Sequence, residues 1–152
     1  MSMKKMEFSI DINAPKEEVW KVLWNDSTYR KWSGAFMEGS YVESDWNEGS
    51  KIKFLDPEGN GLSSVIERKV PNQFRSFRHN AELRNKKELD EKTNWSDATE
   101  SYILRQTDGM THLKVELNGP EDHVNMFNDS FPKALQKVKE LSEKKEAYSE
   151  AI

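Results

Sequence analysis

Met6-Glu7-Phe8-Ser9-Ile10-Asp11-Ile12-Asn13-Ala14-Pro15-Lys16-Glu17-Glu18-Val19-Trp20-Lys21-Val22-Leu23 changes its hydrophobic period halfway along. From Lys5 to Ile12 the pattern alternates, with Met6, Phe8, Ile10 and Ile12 on one face, which reads as a half-buried strand. Asn13-Ala14-Pro15 stops it. Pro15 suits a first helical turn, and Glu17 and Glu18 suit the positive end of the helix dipole. Val19, Trp20 and Leu23 then fall along one side of a helix, with Trp24 able to face either way. Asn25-Asp26-Ser27 interrupts it, and Asp26 or Ser27 can cap a second short helix ending near Trp32-Ser33-Gly34. The chain therefore starts as one strand and two short helices.

Downstream, strands follow in quick succession. Ser40 to Asp45, Ser50 to Leu55 and Leu62 to Val70 are separated by turn signals at Asn47-Glu48-Gly49 and Asp56-Pro57-Glu58-Gly59-Asn60-Gly61. Gln73 to Leu83 reads as a further strand. Residues 84–97 are a polar loop apart from Trp95. Thr99 to Thr107 and Thr111 to Leu117 form a hairpin about Asp108-Gly109, with Leu113, Val115 and Leu117 on one face. In the tail, Val124, Phe127, Phe131, Ala134 or Leu135, Val138 and Leu141 recur at helical spacing, and Pro132 is expected to kink or split that helix. One long amphipathic helix after about six antiparallel strands predicts an α+β layer.

Composition narrows the function classes. The 152 residues are 35% hydrophobic and 33% charged, yet 11% aromatic, which argues against disorder and for a modest core of large side chains. The net charge is −4 and the basic residues alternate with acids, so the stripe that binds phosphates is missing and no nucleic-acid partner is expected. Cysteine is absent, which excludes disulfides and thiolate chemistry. The first residues carry no apolar run, so neither a signal peptide nor membrane insertion is expected and the cytoplasm is the default compartment.

The element order, together with particular motifs, resembles the helix-grip fold of the START-like superfamily, and within it the bacterial homologues of the Hsp90 ATPase activator domain. The motifs are Ala14-Pro15-Lys16-Glu17-Glu18-Val19-Trp20, Trp32 closing the second helix, and Asp45-Trp46-Asn47-Glu48-Gly49-Ser50 at the first hairpin. Val70-Pro71 and Phe131-Pro132-Lys133-Ala134-Leu135-Gln136-Lys137-Val138-Lys139 complete them. The resemblance implies one domain over residues 1–152, with a curved antiparallel sheet of six to seven strands wrapped on the long C-terminal helix. It also implies a cavity between them, entered near the short helices. One departure is plain: the family's first hairpin usually carries a basic residue and two glycines, where this chain has Trp46, Glu48 and the single Gly49. No ligand contact is carried over there.

Under that frame the pocket candidates are Trp32, Phe36, Phe54, Phe77, His79, Tyr102, Leu104, Phe127 and Phe131. Trp20 is read as core. His79 shares a strand face with Phe77 and Ala81 and could bond a ligand or act as a base, although a satisfied structural histidine is the plainer reading. Glu100 and Tyr102 on an inward face could perform acid–base work if they met His79, while the plainer reading sends Glu100 to solvent at the sheet end. Arg75 could neutralise an acidic ligand, and is read as snorkelling outward. Ser63-Ser64 has no histidine partner visible in the sequence. His112 is expected at the surface and His123 in the first turn of the last helix. No metal site, phosphate loop or nucleotide fingerprint is present, and no cofactor is expected.

Three functions follow, in this order. The first is a non-catalytic module holding an apolar or amphipathic small molecule. The second is a partner of an Hsp90-type chaperone, implied by the resemblance. The third is a cyclase- or aromatase-like enzyme using Glu100, Tyr102 or His79. A homodimer is a further expectation, tied to Trp95, whose indole needs cover from its own core, a second subunit or a lid over the cavity.

Overall fold

The computed structural model describes residues 3–90 and 95–151, with side chains to residue 143. Residues 91–94, in the expected polar loop, lie outside the described residues.

Strand β1, Met3–Ile12, keeps the alternation, and only Ile12 is fully buried. Pro15 takes the N-cap position of α1, Lys16–Trp24, in an extended conformation. Its carbonyl accepts from the amides of Glu18 and Val19 at 3.0 and 3.2 Å. Asn25 is extended too and separates α1 from α2, Asp26–Ser33. Asn25, rather than Asp26 or Ser27, is thus the cap residue, and its side chain makes no capping bond.

Strands β2 (Tyr41–Glu43), β3 (Lys51–Leu55), β4 (Gly61–Val70), β5 (Phe74–Arg84), β7 (Thr99–Thr107) and β8 (Met110–Pro120) match the expected segments. The two-residue β6, Lys87–Glu88, is additional: it lies in the stretch read as loop and pairs back onto Arg84 and Leu83 at the end of β5. All pairings are antiparallel, in the order β1-β8-β7-β5-β4-β3-β2, with β6 beside β5. Register matches apolar face to apolar face: Phe8 lies opposite Val115, and Ile10 opposite Leu113.

Helix α3, Val124–Ala151, packs against β1, α1 and α2, so the curved sheet grips it. It runs through Pro132 without splitting, and His123 sits just before it in a 3-10 turn, Glu121–His123. Exposure of Pro132 gives its ring room on the solvent side, where a missing amide donor costs least. Ala134 and Val138 are fully buried, as are Val19, Leu23, Ile66, Leu113 and Val115 from the facing elements. Among the described residues no helix is long and apolar enough to cross a membrane.

One of two irregularities between β4 and β5 places the site. Ser63 pairs with Ala81 but Ser64 pairs with His79, which leaves Asn80 as an extra residue on β5. Such a bulge re-aims side chains on either side of it. The backbone of His79 turns instead to the start of β7, donating to Ala98 O at 2.8 Å and accepting from Asp97 N at 2.9 Å.

Candidate functional site

A cavity of about 310 Å³ lies between the inner sheet face, the two short helices and the start of α3. Phe54, His79, Glu100 and Tyr102 line it from the sheet. Trp24, Tyr29 and Trp32 line it from the short helices, and Phe127 and Phe131 from α3. Asp56 and Asn60 from the β3–β4 turn and Leu62 from the start of β4 flank it, and the 40% exposed Met126 marks its solvent side.

Of the nine pocket candidates, seven line this space: Trp32, Phe36, Phe54, His79, Tyr102, Phe127 and Phe131. Phe77 and Leu104 do not. Phe77 is fully buried beneath the rings of Trp24 and Phe54, at 5.6 and 5.3 Å between centroids. Leu104 lies further along β7, opposite Leu113, in the solid part of the core. Correct face did not mean correct depth. Trp24, Tyr29 and Trp95 line the cavity without having been chosen for it; for Tyr29 the three-residue spacing to Trp32 on α2 was the available signal.

The polar groups converge where the sequence left them separate. Ser64 Oγ lies 2.6 Å from His79 Nδ1, giving the serine the histidine partner it lacked. His79 Nε2 lies 3.4 Å from Glu100 Oε1, and Tyr102 Oη donates to Glu100 Oε2. Glu100 therefore does not reach out to bulk solvent; its side chain is 20% exposed and faces the cavity. His79 is both satisfied and at the cavity wall. The bulge at Asn80 explains the convergence, since it aligns Ser64 with His79 across the β4–β5 pair.

Arg75 corrects an expectation. It is only 2% exposed and does not snorkel outward. Its guanidinium lies 4.9, 5.2 and 5.0 Å from the ring centroids of Trp20, Trp24 and Trp46, and Nη2 donates to Trp46 O at 3.1 Å. Indole faces are the best π partners for a cation, and they offset part of its desolvation. Burial still pulls its pKa down to about 10. Trp20, read as core, is half-buried and acts as an outer wall of this box.

Trp95 is half-buried against its own chain. Its ring packs against His79, His123 and Phe127, with centroids 6.0, 4.8 and 5.9 Å away, and it lines the cavity. The turn that carries it is tied down by the Ala98 N to Trp95 O bond at 3.0 Å, next to the backbone anchor on His79.

The buried phenols set an alkaline limit on stability. Burial first, and then the charge of Glu100, push the pKa values of Tyr29 and Tyr102 well above the ordinary phenol value. Above about pH 10 the folded chain keeps these protons while the unfolded chain loses them, so stability falls by about 1.4 kcal/mol per pH unit for each phenol. Arg75 has the opposite sign, because its lowered pKa lets the folded chain lose a proton that the unfolded chain keeps. The two phenols set the sign of the profile: stability declines above pH 10, and Tyr102→Phe makes the decline shallower. Denaturant midpoints measured from pH 9.5 to 11.5 check this; a flat wild-type profile would refute it.

Comparison with known proteins gives this architecture a family. A Mesorhizobium loti protein superposes with a TM-score of 0.73 at 16% identity, over 93% of this chain and 98% of its own. The Aha1 dimer from Colwellia psychrerythraea matches with a TM-score of 0.69 at 18% identity, over 90% and 94%. CalU16 from Micromonospora echinospora matches with a TM-score of 0.67 at 16% identity, over 92% and 76%. At these identities the likeness shows the shared fold, and no curated protein sequence matches the chain. Residues 13–143 match the family described as "Activator of Hsp90 ATPase homolog 1-like protein", and with the helix-grip fold around them the chain belongs to that family.

Proposed function

We propose that this chain is a small-molecule binding module that holds an apolar or amphipathic ligand between its sheet and C-terminal helix. One observation carries the reading: about 310 Å³ stays open although Phe127 and Phe131 stand at its edge. Protein interiors are ordinarily packed to crystal density, and binding sites are the usual exception, at ~300–1,000 Å³ with aromatic walls and a few convergent polar groups. Family membership supports the reading in general terms and names no ligand.

The test combines recovery with blockade. Organic extraction of the purified protein should release a bound small molecule, and the neutral dye N-phenyl-1-naphthylamine should bind saturably. Leu62→Trp, at the half-buried flank of the cavity, should weaken the dye by roughly tenfold or more while the melting midpoint is retained. Unchanged dye affinity in that variant, with nothing recovered on extraction, would refute the reading.

A second reading, acid–base catalysis, is favoured by the meeting of His79, Glu100 and Tyr102 at one wall. Ser64 is fully buried behind His79 and does not line the cavity, so it is no candidate nucleophile. A chaperone contact is supported only by the family's description. Stimulation of an Hsp90-type ATPase by the added chain is the observation that would promote it over the binding reading.

A further inference from the structure

The polarity of the cavity wall has a direction. Tyr102 Oη donates to Glu100 Oε2. If the Ser64 hydroxyl donates across its 2.6 Å contact to His79 Nδ1, the ring proton sits on Nε2, 3.4 Å from Glu100 Oε1. Tyr102 thus occupies Oε2, while the contact from His79 to Oε1 is long enough to leave that oxygen able to accept another donor. A carboxylate has about four acceptor positions, so one phenol donor and an imidazole at 3.4 Å leave room on it for a further donor.

Among the described residues no lysine or arginine balances it. The lining residues include the carboxylates of Asp56 and Glu100, and among the described residues that line the cavity none is lysine or arginine. Arg75, on the same strand as His79, is held in its indole box, with Nη2 on Trp46 O. Asp56 Oδ1 already accepts from the amides of Glu58 and Asn60 at 2.9 Å, which commits that side chain to its turn.

We propose that the cavity selects amphipathic amines, with the ligand's protonated nitrogen on Glu100 Oε1 and its apolar body against the aromatic walls. The proposal rests on the small-molecule binding reading and adds the chemical class of the ligand's polar end. A cation gains twice in this setting. It forms a charge-assisted hydrogen bond to the carboxylate, and it lies in a cavity whose wall includes the indoles of Trp32 and Trp95. A carboxylate ligand would meet like charge without a counter-ion, and a neutral alcohol would gain only an ordinary hydrogen bond.

The test uses three compounds with one apolar body: 2-(1-naphthyl)ethylamine, 2-(1-naphthyl)ethanol and 1-naphthylacetate, titrated calorimetrically at pH 7. The amine should bind roughly tenfold tighter than the alcohol, and the carboxylate weakest. Glu100→Gln, which keeps the shape of the side chain, should bring the amine down to the alcohol's affinity. Asp56→Asn should leave the amine-to-alcohol ratio within about threefold of wild type, within the spread expected for a side chain outside the contact. Binding of the carboxylate as tightly as the amine would overturn the amine assignment while leaving the binding reading intact. An amine preference that survives Glu100→Gln, or disappears in Asp56→Asn, would overturn the role given to Glu100. If none of the three compounds binds, and the neutral dye does not bind either, the binding reading itself fails and takes this proposal with it.

Discussion

Trp24→Ala is expected to lower stability by about 3–5 kcal/mol, the range for emptying a buried tryptophan site. The indole is 7% exposed and stands where three layers meet. Its ring contacts those of Trp20, Trp46, Phe77 and Tyr102, with centroids 6.1, 5.5, 5.6 and 4.9 Å away, and it also faces Arg75. Removing it takes away one wall of the guanidinium box and one wall of the cavity together. The void would not simply collapse, because α1 is held at both ends. Thr111 Oγ1 donates to Ala14 O at 2.7 Å just before its start, and Trp32 Nε1 of α2 donates to Leu23 O at 3.1 Å near its end. For a domain of this size the loss corresponds to a fall in melting midpoint of roughly 10 °C. Trp20→Ala, on the half-buried outer side of the same box, should cost clearly less. Calorimetric melting of both variants checks the pair, and equal losses would show that Trp24 is not the hub described.

Gly61→Ala is expected to cost more than about 3 kcal/mol, beyond the ~1–3 kcal/mol of ordinary overpacking. Gly61 opens β4 at φ +156°, and a Cβ there would lie 1.8 Å from Phe54 O and 2.9 Å from Phe54 C. Both are backbone atoms of the neighbouring strand, so no side-chain rotation relieves the clash. The β3–β4 pair would have to open at the Leu55–Gly61 position, beside the Asp56 N to Asn60 O turn bond of 2.8 Å. Gly49→Ala is the control. It has φ +84° with nothing within 4 Å of the added carbon, so only the backbone strain of about 1–2 kcal/mol applies. Urea titration of the two variants separates contact from conformation, and a Gly61→Ala loss no larger than that of Gly49→Ala would show that the strands can part without penalty.

The sequence determined the element order because periodicity is a local property. Alternation up to Ile12, the stop at Ala14-Pro15 and the three- and four-residue spacing of Val124, Phe127, Phe131, Ala134 and Val138 are each read within a short stretch of chain. Strand bounds were legible within a few residues wherever a face is buried. The two-residue β6 was not, since Lys87 and Glu88 are exposed and carry no apolar face to signal pairing. The aromatic wall was mostly legible as well, because Phe54, Tyr102 and Phe131 each sit on the inward face of a recognisable element.

Depth and partnership were decided by the tertiary structure. Phe77 and His79 share a face of β5, yet Phe77 is roofed by Trp24 and Phe54 while His79 reaches the cavity. Arg75 looked like a residue bound for solvent until three indoles from two separate segments closed around it. Ser64 gained His79 only through the unpaired Asn80, and Glu100 met His79 only where β7 docks on β5. Such contacts depend on a one-residue offset between strands distant in sequence. A pattern with a period of two or 3.6 residues says which way a side chain points, and the register of the neighbouring strand says what it meets.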